Sequence, residues 1–290
     1  LIVGSGAIGI EFASFYNSLG AHVTIVEMQE RILIAEDPEI SEIAKGIFVH
    51  SGITIHNKAS IKYTKLSSNL VSVVIDVDGK EINANFDKII VAAGVVPNTE
   101  GAGLENTKIK FDKSGFVITN DWGETDESGI FAIGDVAGPP CLAHKAAHEG
   151  VICVEKMFDY PVLHSLKNMK IPGCIYSHPQ IASIGLTEEK AKQLGYDIKV
   201  GRFNSAANGK SIVLGETEGL IKTVIDKKTG ELLGAHMIGA EVTEIINGYI
   251  IAMNLEATDL DIRGTIFPHP TLSEMMHEAV LGADKESLNS

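Results

Sequence analysis

The residues best suited to chemistry lie near the C-terminus, in Phe267-Pro268-His269-Pro270-Thr271-Leu272-Ser273-Glu274. A histidine between two prolines is held by the backbone, because each pyrrolidine ring fixes its own φ and restricts the residue before it. Glu274, five residues on, is placed to fix one tautomer of the ring and to stabilise the imidazolium formed when the ring takes a proton. That pairing would make His269 a general base and Glu274 its orienting partner. A second reading has no catalysis in it. Thr271 and Glu274 have capping-box spacing, so Glu274 would only tie back the first turn of the helix that follows. The segment alone leaves both open.

The other end of the chain supplies context. It opens LIVGSGAIGIEFASFYNSLGAHVTIVE: an apolar run, then Gly4-x-Gly6-x-x-Gly9, then a helical stretch with apolar positions Ile8, Phe12, Phe15, Tyr16 and Leu19. A β-branched run from Val23 to Val26 ends in Glu27, 18 residues after Gly9. Strand, glycine turn, helix, strand and acid is the order of a dinucleotide-binding βαβ unit. Gly4 permits the tight turn, Gly6 lets the backbone approach a pyrophosphate, and Gly9 lets the helix pack close to the strand. The helix N-terminus offers unpaired N–H groups and the positive end of its dipole to the phosphates. Glu27 can accept both ribose hydroxyls and would repel a 2′-phosphate, which favours NAD over NADP.

Composition narrows the field. At 290 residues the chain has room for two cores. A formal net charge of −14 argues against nucleic acid or an anionic membrane surface as the main partner. No apolar run approaches the roughly 20 residues that span a bilayer. A chain that begins inside a core strand, without a methionine, is expected to be a fragment with its N-terminal part missing. Cys141, Cys153 and Cys174 form no CxxC or CxxxxC pair and read as free thiols of a reducing compartment. His144 and His148 share a helical face, but Lys145 stands where a zinc hydrolase has glutamate and no third ligand follows, so no metal site is expected.

Residues 1 to about 122 form a first part. A helix is expected over Pro38 to Ser51, with Ile40, Ile43, Ala44, Ile47 and Phe48 on one face, then a strand from Ile53 to His56. Strands over 60–66, 70–77 and 80–86, the last two joined by Asp78-Gly79, make a meander in place of a crossover helix. Asp87 to Gly94 is expected to return as a buried strand whose terminal Gly94 admits a ligand to the backbone. In the middle part, 123–165, Gly129 to Asp135 reads as a buried strand ending in Gly-Asp, followed by a helix of small residues over 142–158. Asp135 then either meets a ligand at the strand end or caps that helix. From 166 to 290 the expected strands are 171–176, 199–203, 219–225 and 232–238. Helices are expected over 187–194, 241–254 and 273–281, and the 241–254 helix has a wide apolar face for core and, in part, for another subunit.

Together these residues resemble the flavin-dependent pyridine nucleotide disulfide oxidoreductases along essentially the whole chain. The matching motifs are LIVGSGAIGIEFA with Glu27, IIVAAGVVPNT at 89–99, IFAIGDV at 130–136, LAHKAAHEGV at 142–151, YSHPQIASIGLTE at 176–188 and HPTLSE at 269–274. The resemblance implies an α/β Rossmann-like NAD-binding domain plus an α+β dimerisation domain, with a remnant of an FAD-binding domain between them. It implies NAD and FAD as cofactors. Asp135 would bind a ribityl hydroxyl of FAD, and Leu142, Ala143 and His144 would lie against the flavin. His269, aimed by a cis His269–Pro270 bond and oriented by Glu274, would act on the thiols of bound dihydrolipoamide across a homodimer interface. The partner would be the acyltransferase of a 2-oxoacid dehydrogenase complex, in the cytoplasm or, in a eukaryote, the mitochondrial matrix.

The chain departs from the family pattern in two places. Val95 stands where many relatives have arginine after the strand-end glycine. The upstream flavin domain, with its own glycine fingerprint and CxxxxC disulfide, is missing, so the chain as given is expected to be inactive. Three readings therefore stand: part of such an oxidoreductase acting on dihydrolipoamide, a relative acting on another thiol or disulfide, or a non-catalytic nucleotide-binding dimerisation module.

Overall fold

The computed structural model describes residues 1–161, 165 and 170–289. Its first elements are β1 (Ile2–Val3), α1 (Ala7–Ser18), β2 (Thr24–Val26), α2 (Pro38–His50) and β3 (Thr54–His56). Helix α2 starts where Asp37 accepts the Glu39 N–H and Pro38 occupies the first turn, where an N–H would have no intrahelical acceptor anyway. The antiparallel meander follows as β4 (Ala59–Leu66), β5 (Val71–Val77) and β6 (Lys80–Phe86), its hairpin closed by Asp78 and Gly79, both at positive φ. Then β7 (Ile90–Val91) completes a parallel sheet of order β3-β2-β1-β7. As expected, the meander takes the place of a crossover helix.

In α1 the apolar positions Phe12, Phe15, Tyr16 and Leu19 are exposed, and Gly9, Ile10, Ala13 and Ser14 are buried. A helix drawn this close to its sheet packs through small residues, so the large ones point outward. The strand expected over 87–94 shrinks to two residues, and Val91 is 74% exposed.

Residues 94–171 form a compact unit of their own. The expected buried strand Gly129 to Asp135 does not form. Only isolated bridges, Glu124 with Phe131 and Phe111 with Val117, are made, and Gly134–Ala137 is a short 3-10 turn. Ile130 and Ile133 are exposed. Helix α3 (Ala143–Met157) follows as anticipated. The boundary expected between 165 and 166 falls in a stretch, 162–169, of which only residue 165 is described.

The last segment adds β8 (Gly173–Ile175), β9 (Gln180–Gly185), α4 (Glu188–Gln193), β10 (Ile198–Asn204) and α5 (Gly209–Leu214). It continues with β11 (Leu220–Asp226), β12 (Leu232–Gly239), α6 (Val242–Asn254), α7 (Asp259–Arg263) and α8 (Glu274–Gly282). The strands form one antiparallel sheet, β10-β11-β12-β9-β8. Strand β9 and helices α5 and α7 were not anticipated; the two helices are too short to show a helical period. Ile245, Ile246, Tyr249 and Met253 of α6 pack with Met275, Ala279 and Val280 of α8 in a single core. The Tyr249 hydroxyl is satisfied there by the Met276 carbonyl at 2.8 Å. This segment and residues 1–93 form one compact unit, because Ile10, Ile25, Ile40 and Phe48 share a core with Ile175, Ile181, Leu220 and Ile238.

Candidate functional site

The glycine turn is built as its spacing demands. Gly4 has φ +97°, and a side chain there would strike the Ala92 carbonyl, just after β7. A side chain on Gly9 would strike the carbonyl of Gly4, so the helix can lie against the turn only as glycine. Gly6 faces open space at the N-cap of α1, and no side chain caps that end. Its free helix N–H groups and unobstructed backbone fit a pyrophosphate. Glu27 lies beside the turn. One of its oxygens accepts the Ser5 N–H at 2.9 Å and the Ser5 hydroxyl at 2.5 Å, and the other accepts the Gln29 N–H at 2.8 Å. The acid thus also braces the glycine turn, which the spacing alone does not reveal. Gly94, in the other unit, has φ +123° with open space about its Cα.

At the other end of the chain Glu274 meets both His269 and Thr271, but the capping box expected from the spacing does not form: α8 has Ser273 as its N-cap, with no side-chain cap. One carboxylate oxygen sits 2.9 Å from His269 Nδ1, and the other accepts the Thr271 N–H at 2.8 Å. With a carboxylate as partner, Nδ1 is the donor, and Nε2 is left as the basic nitrogen. The ring is exposed, so Nε2 is accessible. The loop beneath it is pinned: the Thr271 hydroxyl donates to the Pro268 carbonyl, and Asn208 Nδ2 donates to the Thr271 carbonyl at 3.1 Å. The His269–Pro270 bond is cis, as expected. Asn208 is 63 positions away in the chain and carried no sequence signal.

In the 94–171 unit, Asp135 is exposed on the 3-10 turn. It does not cap α3, whose N-cap is Leu142 and lacks a side-chain cap. Leu142, Ala143 and His144 form the first turn of that helix, with Ala143 and His144 exposed. The three cysteines are free thiols, and burial pushes those of Cys153 and Cys174 up, away from the thiolate form. Among the described residues no group of three or more His, Cys, Asp or Glu side chains is placed to hold a metal.

Sequence reasoning missed a buried ionic network. The Lys222 ammonium, on β11, touches Asp37 and Glu39 at 2.8 Å and Glu188 at 2.9 Å, with Arg202 bonded to both glutamates. Burial pushes the Glu188 carboxyl up, but the hydrogen bonds and charges of Lys192 and Lys222 outweigh it and bring its pKa down to about 2. Asp37 and Glu39 are likewise lowered, burial being overcome by Lys222 and, for Glu39, Arg202. Two further links went unread: Glu11 accepts the Tyr176 N–H at 2.8 Å and Ser14 accepts the His178 N–H at 2.9 Å, tying α1 to segment 176–179.

Comparison with known proteins gives a consistent picture. Residues 1–150 match the family described as pyridine nucleotide-disulphide oxidoreductase, and residues 171–280 match its dimerisation domain. The chain is 53% identical over 291 aligned positions to the dihydrolipoyl dehydrogenase of Rhizobium etli, covering all of this chain and 60% of that protein. It is 50% identical to that of Zymomonas mobilis, covering all of this chain and 62% of the relative. It therefore spans about three-fifths of the length of these curated relatives. Among solved structures, the HOCl-induced flavoprotein disulfide reductase RclA from Escherichia coli is similar with a TM-score of 0.88 at 28% identity. The match covers 96% of this chain and 63% of that one.

Proposed function

We propose, from the premise that this chain belongs to the pyridine nucleotide-disulphide oxidoreductase family, that it is the NAD-binding and dimerisation part of a dihydrolipoyl dehydrogenase. In this reading residues 1–122 bind NAD, 123–165 are a remnant of the FAD-binding domain, and 166–290 form the homodimer interface. The observation that carries it is the His269–Glu274 pair, an accessible base held by a carboxylate on a pinned loop.

His269 Nε2 takes the proton from a thiol of dihydrolipoamide, presented by the acyltransferase of a 2-oxoacid dehydrogenase complex. Glu274 holds the tautomer and stabilises the imidazolium through Nδ1. Gly4, Gly6 and Gly9 would seat the NAD pyrophosphate, and Glu27 would take the ribose hydroxyls. Asp135 and the Leu142–His144 turn would hold FAD, and its flavin would supply redox chemistry between thiols and NAD. The sequence has no CxxxxC pair, so this chain alone does not oxidise dihydrolipoamide. In that reading the location is cytoplasmic, or the mitochondrial matrix in a eukaryote.

The test is made in the longer parent protein. His269→Gln should lower turnover by about 10²- to 10⁴-fold and leave flavin content unchanged. Undiminished turnover would refute the assignment, as would lipoamide-dependent NADH formation by the purified 290-residue chain.

A further inference from the structure

We infer that Lys145 and Glu149 are positioning residues that set Asp135 for its ligand, an inference that rests on reading Asp135 as a flavin contact. The two side chains lie one turn apart on α3 and form an ion pair of 2.8 Å, each only 7% exposed. Each also bonds the turn that carries Asp135. Glu149 accepts the Gly134 N–H at 2.7 Å, and Lys145 donates to the Gly138 carbonyl at 3.0 Å. The pair thus grips both ends of the five-residue turn 134–138 and leaves Asp135, between them, facing solvent.

The seat is shaped for this grip. Gly134 has φ +73°, and a side chain there would come within 3.2 Å of the Ala146 methyl, between the two charged residues. Gly150, next to Glu149, leaves room for Ile133, whose Cδ1 would lie 3.3 Å from an added Cβ. A buried ion pair adds little to stability compared with well-packed apolar residues of the same size. Its worth here is geometric. A carboxylate and an ammonium placed together satisfy one backbone donor and one backbone acceptor of the same turn, which apolar side chains cannot do. A further bond, from the Val117 N–H to the Val136 carbonyl at 2.8 Å, fixes the turn from the other side.

Two readouts test the inference. In the 290-residue chain, K145M/E149L should speed hydrogen exchange of the Gly134 amide roughly tenfold or more, with the amides inside α3 unchanged. K145M/E149Q, which restores an acceptor for that amide, should recover the protection. In the longer parent protein, K145M/E149L should weaken FAD binding about tenfold, and K145M/E149Q should recover part of it. Unchanged exchange and unchanged FAD affinity would overturn the proposal. Asp135→Ala separates the two readings. If it leaves FAD affinity intact, the flavin role of Asp135 fails, while Gly134 exchange still reports whether the clamp holds the turn. Should K145M/E149L not fold, Lys145→Met alone removes the Gly138 tether. A several-fold weaker FAD affinity then supports the clamp, and an unchanged one refutes it.

Discussion

His269 Nδ1 lies 2.9 Å from Glu274 Oε1, and the second oxygen of the same carboxylate holds the Thr271 amide. One side chain therefore both orients the imidazole and fixes the backbone two residues after it. Glu274→Ala should leave the ring as a mixture of tautomers. The wild-type chain should show a single Nδ1–H form by imidazole nitrogen NMR. A mixed population in the wild type would show that the carboxylate does not hold the ring.

The glycine turn separates binding from folding. Gly6 has φ −69° and open space around it, so Gly6→Ala should fold normally and bind NAD poorly, since the methyl occupies the phosphate approach. Gly9→Ala drives a methyl into the Gly4 carbonyl and should lower thermal stability as well. Calorimetric titration and melting of the two variants, side by side, check this. Equal melting losses would refute it.

Glu27 should make the chain bind NAD(H) in preference to NADP(H), and Glu27→Ala should narrow the difference. Because the same carboxylate braces Ser5, the variant should also lose some affinity for NAD(H) itself. Tighter binding of NADP(H) by the wild type would sink the assignment.

The Lys222 network predicts both a mutational and a pH effect. Lys222→Met leaves Asp37 fully buried without its counter-ion, at a cost of about 3–5 kcal/mol, to be read as a lower urea midpoint. Glu188, Asp37 and Glu39 have folded pKa values below their ordinary ones, Glu188 near 2. Their contribution is complete above about pH 4.5, the ordinary glutamate value, and is lost as the pH falls toward 2. Wild-type stability should fall across that window, and the variant should fall less steeply.

The segment matching a dimerisation domain should associate in solution. Ile251 on α6 is 61% exposed although its neighbours Ile246, Tyr249 and Met253 are core. Sedimentation should show a dimer at tens of micromolar, roughly the range where moderate interfaces persist. A monomer at that concentration would count against the homodimer.

The local pieces were legible because their chemistry is local. A glycine turn between two apolar runs, Asp78-Gly79 and the Pro-His-Pro segment each limit their own backbone, so sequence spacing reports them directly. The run Gly129 to Asp135 misled for the opposite reason. An apolar segment becomes a strand only if a partner runs along its length, and here the pairing stops at one bridge, Glu124 with Phe131.

The sequence by itself determined the order of βαβ unit, meander and antiparallel segment, and it placed His269 within reach of Glu274. It also determined that α1 has an apolar stripe. Only the tertiary structure decided that the stripe faces outward and the glycine–alanine face packs, since periodicity marks a face without saying which partner it meets. The tertiary structure likewise brought Lys222 to Asp37, 185 positions away, and Asn208 to Thr271. Contacts at such separations depend on how whole layers stack, and no spacing within one segment encodes that.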